Sequence, residues 1–180
     1  MSEQRRTDAH DDFLIDDEDN EDTQANKYLF FRIGKESYGV GIRHVIEIIE
    51  LQPISAVPDM PSYVKGVINL RGKVIPIVDL RLRFRIDERD YDNRTCIIVT
   101  EVERVQVGFV VDTVEEVLEI PEKNIEPPPK FRTMQGQDRY LSGMAKSGES
   151  IKILVDVEKL VQDENLGDSV LAQTAESPSS

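Results

Sequence analysis

The chain has 180 residues and a formal net charge of −13, a length for one domain or two small ones. Ten acids and two bases fall in residues 1–26, and four acids and no base in residues 161–180, so residues 27–160 are close to neutral. That distribution speaks against nucleic acid and anionic lipid as partners, since both require clustered Lys and Arg.

No apolar run approaches the roughly 18 residues a membrane span needs, and the acidic N-terminus lacks a signal-peptide core. A cytoplasmic protein without direct membrane insertion is therefore expected. The single cysteine, Cys96, cannot form an internal disulfide, which suits a reducing compartment.

Residues 1–26 hold too little apolar surface to offset the entropy of ordering and read as a disordered acidic tail. Its Phe13-Leu14-Ile15 island reads as a stray apolar cluster, with a docking motif as the alternative. Lys27–Ile33 (KYLFFRI) reads as a strand, Gly34-Lys35-Glu36 as a turn and Ser37–Gly41 as a second strand. Arg43–Ile49 places Val45, Ile46, Ile48 and Ile49 together, and periodicity leaves open a helical turn followed by a strand. Pro53, Pro58 and Pro61 break the chain. Val67–Leu70 and Lys73–Leu80 are apolar runs joined by a tight turn at Arg71-Gly72. Thr95–Glu101, Gln106–Val111, Glu115–Ile120 and Ile151–Val157 are further strands, and a terminal helix begins near Asp156 as N-cap. Residues 162–180 read as a flexible tail.

The same unit occurs twice. A shift of 69 residues brings Gly39 onto Gly108, Val45 onto Val114, Glu47 onto Glu116 and Pro58 onto Pro127. A shift of 77 brings Gly66 onto Gly143 and Asp79 onto Asp156, so the second half carries a longer linker within Phe131–Tyr140. Each half, about 65 residues of short strands, suits one small barrel, with a boundary near residues 90–95.

No catalytic constellation stands out. Gly66–Lys73 (GVINLRGK) has the wrong glycine spacing for a phosphate loop, and Val74 stands where Ser or Thr would hold magnesium. With two histidines and one cysteine there is no zinc spacing. Neighbouring acids such as Glu115-Glu116 read as solvated or edge positions. The expectation is no enzyme, no cofactor and no metal. Arg71 supports two readings: a solvated turn residue, or an arginine presented to a partner, a task its planar guanidinium suits. The aliphatic surplus at Val45–Ile49 divides likewise between core and exposed docking stripe.

The runs Lys65–Arg81 (KGVINLRGKVIPIVDLR), Tyr38–Ile48 (YGVGIRHVIEI), Gly108–Leu118 (GFVVDTVEEVL) and Leu154–Leu160 (LVDVEKL) resemble the CheW family of chemotaxis coupling proteins. The resemblance covers residues 27 to about 161. It implies a mainly β fold of two pseudo-symmetric SH3-like barrels with short helices and a C-terminal helix. It implies a non-catalytic scaffold recruited to receptor clusters at the inner membrane, where it bridges the chemoreceptor cytoplasmic tip and the regulatory domain of the chemotaxis histidine kinase. Carried over residue by residue, receptor contact falls on Arg71, Val45, Glu47 and Cys96, with the turn residues Asn69 and Gly72. Kinase contact falls on Ile42. A small-molecule-binding β-barrel and a stand-alone regulatory domain of a chemotaxis-type kinase are the alternatives.

Overall fold

A computed structural model describes residues 24–128 and 140–162. The strands are β1 (Lys27–Ile33), β2 (Glu36–Gly41), β3 (Val45–Glu50), β4 (Val64–Leu70), β5 (Lys73–Asp79), β6 (Cys96–Val102), β7 (Val105–Val111), β8 (Thr113–Glu119), β9 (Ile125–Glu126), β10 (Leu141–Ser147) and β11 (Ser150–Val155). Two short helices, α1 (Leu80–Arg83) and α2 (Val157–Gln162), each follow the last strand of a half. The undecided stretch at 43–49 is a 3-10 turn, Ile42–His44, followed by β3. Asp156 precedes α2 and its Oδ1 accepts the Lys159 N–H at 3.1 Å, as an N-cap does.

The strands form two sheets, ordered β8-β1-β2-β11-β10-β9 and β3-β6-β7-β5-β4. These are the two SH3-like barrels. The duplication is visible in the orders, because β8, β1, β2, β11 and β10 correspond one for one to β3, β6, β7, β5 and β4. The halves do not, however, each close a barrel. The β1–β2 hairpin of the first half completes the barrel of the second, pairing with β8 on one side and β11 on the other. The β6–β7 hairpin reciprocates between β3 and β5. The expected boundary near 90–95 divides the repeats but not the barrels.

Three apolar clusters follow from this exchange. Ile68, Ile75, Ile77, Ile97, Val99 and Val110 fill the five-stranded barrel. Phe30, Ile120, Ala145 and Leu154 fill the six-stranded one. The largest cluster, including Leu29, Phe31, Val78 and Phe109, lies between them. On β1, Phe30 points into its barrel while Leu29 and Phe31 point to the central layer. Burial on both faces explains why KYLFFRI is a continuous apolar run, not an alternation. The paired glycines permit the packing: a Cβ on Gly39 would strike the Phe30 ring at 2.5 Å, and one on Gly108 the Ile77 side chain at 2.7 Å. The guanidinium of buried Arg83 packs on the rings of both Tyr63 and Tyr140, at 4.6 and 4.4 Å. Those tyrosines are themselves repeat partners, and their carbonyls accept the N–H of Asp79 and Asp156 respectively.

Of the tail read at 1–26, residues 24–26 are described. The Asn26 carbonyl accepts the Ile120 N–H at 2.8 Å, which ties this end of the tail to the end of β8. The rest of that tail, the Phe13-Leu14-Ile15 island, most of the 131–140 linker and residues 163–180 lie outside the described residues.

Candidate functional site

The β4–β5 hairpin turns through two residues, Arg71 and Gly72, with Leu70 opposite Lys73. Both have positive φ, 51° and 86°, the pattern of a type I′ turn, whose twist matches that of the strands it joins. The Asn69 Oδ1 accepts the Gly72 N–H at 2.9 Å and holds the turn. Asn69 and Gly72 thus shape the platform and Arg71 stands on it, its side chain 70% exposed.

Glu47 on β3 pairs with Arg71. Because β3 and β4 are the two ends of the five-stranded sheet, this pair lies across the seam where the barrel closes. The two residues are 24 apart in sequence, and only closure brings them together. Beside Glu47 on the same strand, Ile46 and Ile48 are 45% and 46% exposed, whereas Val45 and Ile49 pack inward. The aliphatic surplus is therefore both core and surface, divided by the strand's alternation. Ile46 and Ile48 were not among the expected contacts. Their signal was present, as four aliphatics in the six residues VIEIIE exceed what one buried face requires.

Cys96 and Val45 lie at opposite ends of the β3–β6 ladder, where Cys96 faces Glu50 and Val45 faces Thr100, about 14 Å apart at strand rise. Both are partly buried against the central cluster. Burial pushes the Cys96 thiol above its ordinary range, opposed by the Val114 backbone N–H. This contact places Cys96 where the two barrels meet. Ile42, on the 3-10 turn before β3, also packs on the central cluster. The structure brings Arg71, Glu47, Asn69 and Gly72 together at the β4–β5 turn, whereas it packs Val45, Cys96 and Ile42 on the central cluster and does not bring them to that turn. Gly66–Lys73 is strand and hairpin, not a phosphate cradle. Among the described residues no His, Cys, Asp or Glu cluster is arranged to hold a metal ion, and no helix is long and apolar enough to cross a membrane.

The corresponding edge in the six-stranded barrel, β8, is built differently. Glu115 accepts the Ser37 hydroxyl at 2.8 Å and lies 3.7 Å from the Lys152 ammonium and 3.8 Å from the Arg32 guanidinium. Lys152 is 8% exposed and sits over the Phe30 ring. Glu115 stands on an edge strand, one of its two expected readings, and there belongs to a charge network and is not simply solvated.

Filled barrels with a charged, exposed turn on one edge have the build of an adaptor module. The family model for the CheW-like domain matches residues 27–165. The chain is 38% identical over 145 residues to the chemotaxis protein CheW of Klebsiella aerogenes, covering 81% of this chain and 87% of that one. It is 31% identical to that of Treponema pallidum, over 76% and 82% of the two chains. The solved scaffolding protein TtCheW of Thermoanaerobacter tengcongensis superposes with a TM-score of 0.71 at 34% identity, over 78% of this chain and 94% of that one. This chain belongs to the CheW-like family of chemotaxis proteins.

Proposed function

We propose that the chain is a non-catalytic scaffold coupling chemoreceptors to the chemotaxis histidine kinase, held in the cytoplasm at receptor clusters. The observation that carries this reading is Arg71: an arginine on a rigid two-residue turn, largely exposed and paired with Glu47 on β3, a strand that also turns Ile46 and Ile48 to solvent on its other face. Such an edge offers an acidic, apolar partner a charge and a hydrophobic contact. Val45, Glu47 and Cys96 extend the receptor surface in this reading, and Ile42 belongs to the kinase surface. The interiors of both barrels are packed with side chains, which favours surface docking over enclosure of a small molecule.

The test is Arg71→Glu. Loss of an exposed ion pair costs folding about 1 kcal/mol or less, so the melting temperature should stay within a few degrees. Reversing an interface charge should weaken binding of a receptor cytoplasmic fragment by about a hundredfold or more. Unchanged receptor affinity would return Arg71 to an ordinary solvated turn.

A further inference from the structure

One solvent-facing cavity, of about 380 Å³, has a filled counterpart in the other half of the molecule. It lies between the Ile42–His44 turn, the start of β1 and the start of α2. The 69-residue shift maps Arg43 onto Asp112, and the 77-residue shift maps Asp156 onto Asp79 and Glu158 onto Arg81.

At that counterpart the segment preceding β6 lies across the site. The Tyr91 hydroxyl donates to Asp79 Oδ2 at 2.7 Å. The Arg89 guanidinium approaches Asp112 at 3.5 Å, and the Asp87 carbonyl accepts from Arg81 Nε at 3.0 Å. Asp79 is left 2% exposed.

At the cavity no described residue takes the parts of Tyr91, Arg89 and Asp87. Asp156 uses Oδ1 for the Lys159 N–H, and its Oδ2 has no partner among the described residues. Arg43 likewise has no ion-pair partner among them. Glu158 reaches His44 at 3.6 Å, and Glu122 adds a third carboxylate to the lining. The groups facing the space are therefore three acids against Arg43 and His44.

The chain's preceding segment is a poor cover. Shifted back by 69, residues 87–92 correspond to 18–23, which read Glu-Asp-Asn-Glu-Asp-Thr. Asp22 is the sequence counterpart of Tyr91, and a carboxylate brought to this lining would meet Asp156, Glu158 and Glu122 with like charge.

We propose that this cavity is a docking site for an extended segment of another protein, a tyrosine flanked by Lys or Arg. The tyrosine hydroxyl donates to Asp156 Oδ2, as Tyr91 donates to Asp79. The flanking cations face Glu122 and Glu158, and a carbonyl or carboxylate of the segment serves Arg43. The site lies on the turn that carries Ile42, but its chemistry does not depend on the coupling function.

The experiment titrates the full isotopically labelled chain with a synthetic hexapeptide, Lys-Glu-Lys-Tyr-Lys-Asn, and with its Phe-for-Tyr analogue. Saturable binding is expected, with amide shifts at Arg43, His44, Ser142 and Glu158. The Phe analogue should bind about fivefold more weakly for want of a charge-assisted hydrogen bond. The double variant Glu122→Lys, Glu158→Lys should bind about tenfold or more weakly with little change in melting temperature. Lys73→Glu, on the five-stranded barrel, should leave binding unchanged. Absence of saturation up to about 1 mM peptide, equal affinity for wild type and the double variant, or shifts centred elsewhere would overturn the proposal. Binding only by a chain that starts at residue 24 would overturn it too, by showing that the preceding segment occupies the cavity.

Discussion

The β4–β5 and β10–β11 hairpins hold equivalent places in the two barrels, yet they turn differently. Position 148, the counterpart of Arg71, is glycine with φ 62°, and a Gly-first loop is the usual solution there. Arg71 takes φ 51° with a full side chain, at a cost of about 1 kcal/mol. The other hairpin of each barrel repeats the contrast: β6–β7 turns through Glu103 and Arg104, φ 49° and 69°, where β1–β2 uses Gly34, φ 63°. Because β5 and β7 run parallel side by side, both glycine-free starts fall at one end of the five-stranded barrel. The same scaffold is relaxed in one copy. In the other it bears left-handed charged residues, and backbone strain of this kind gathers where side chains must be displayed.

The largest expected effect tests whether the two barrels are separable at all. Ile97→Ala in the five-stranded barrel and Leu154→Ala in the six-stranded one should each cost about 2–5 kcal/mol. Since each barrel borrows a hairpin from the other half, both variants should still melt in one transition by calorimetry. A variant that melts in two steps would break the interlocked view.

Next comes Lys152. Its counterpart in the five-stranded barrel is Ile75, 1% exposed, so one barrel seats a cation where the other seats an aliphatic. Lys152→Ala should cost about 1–3 kcal/mol in urea unfolding, by leaving Glu115 and Glu116 with one cation fewer and opening a gap over Phe30. An effect below about 0.5 kcal/mol would mean that Arg32 alone suffices for the edge.

The turn comparison itself predicts opposite signs. Gly148→Arg should destabilise by about 1 kcal/mol, while Arg71→Gly should leave stability unchanged or raise it by up to about 1 kcal/mol. Receptor affinity should fall in Arg71→Gly alone. Equal signs in thermal unfolding would show that the two turns are not conformational equivalents.

The smallest effect concerns Tyr91, whose phenol is held above its ordinary range, chiefly by burial and then by its bond to Asp79. A phenol whose pKa is raised on folding contributes stability fully below its unfolded value near pH 10, and that contribution falls away above it. Tyr91→Phe should therefore cost about 1 kcal/mol at pH 8. The gap between wild type and variant in urea unfolding should shrink by pH 11, and a gap that widens there would refute the assignment.

Much of this molecule could be read along the chain. Aromatic and β-branched runs marked the strands, Arg71-Gly72 marked the turn, and two residue shifts exposed the duplication, because these signals are local or repeat at constant spacing. The partners of the strands could not be read so. Hydrophobic periodicity says which face of a strand is buried, but not which strand lies beside it. The exchange of β1–β2 and β6–β7 between halves is therefore absent from any local pattern. For the same reason the sequence could name Glu47 and Arg71 separately, while only closure of the barrel made them a pair. Burial of Lys152 also awaits tertiary structure, and so does the choice of which aliphatics in the surplus at Val45–Ile49 face solvent. A side chain's surroundings come from elements distant in sequence, and chain order does not specify how those elements meet.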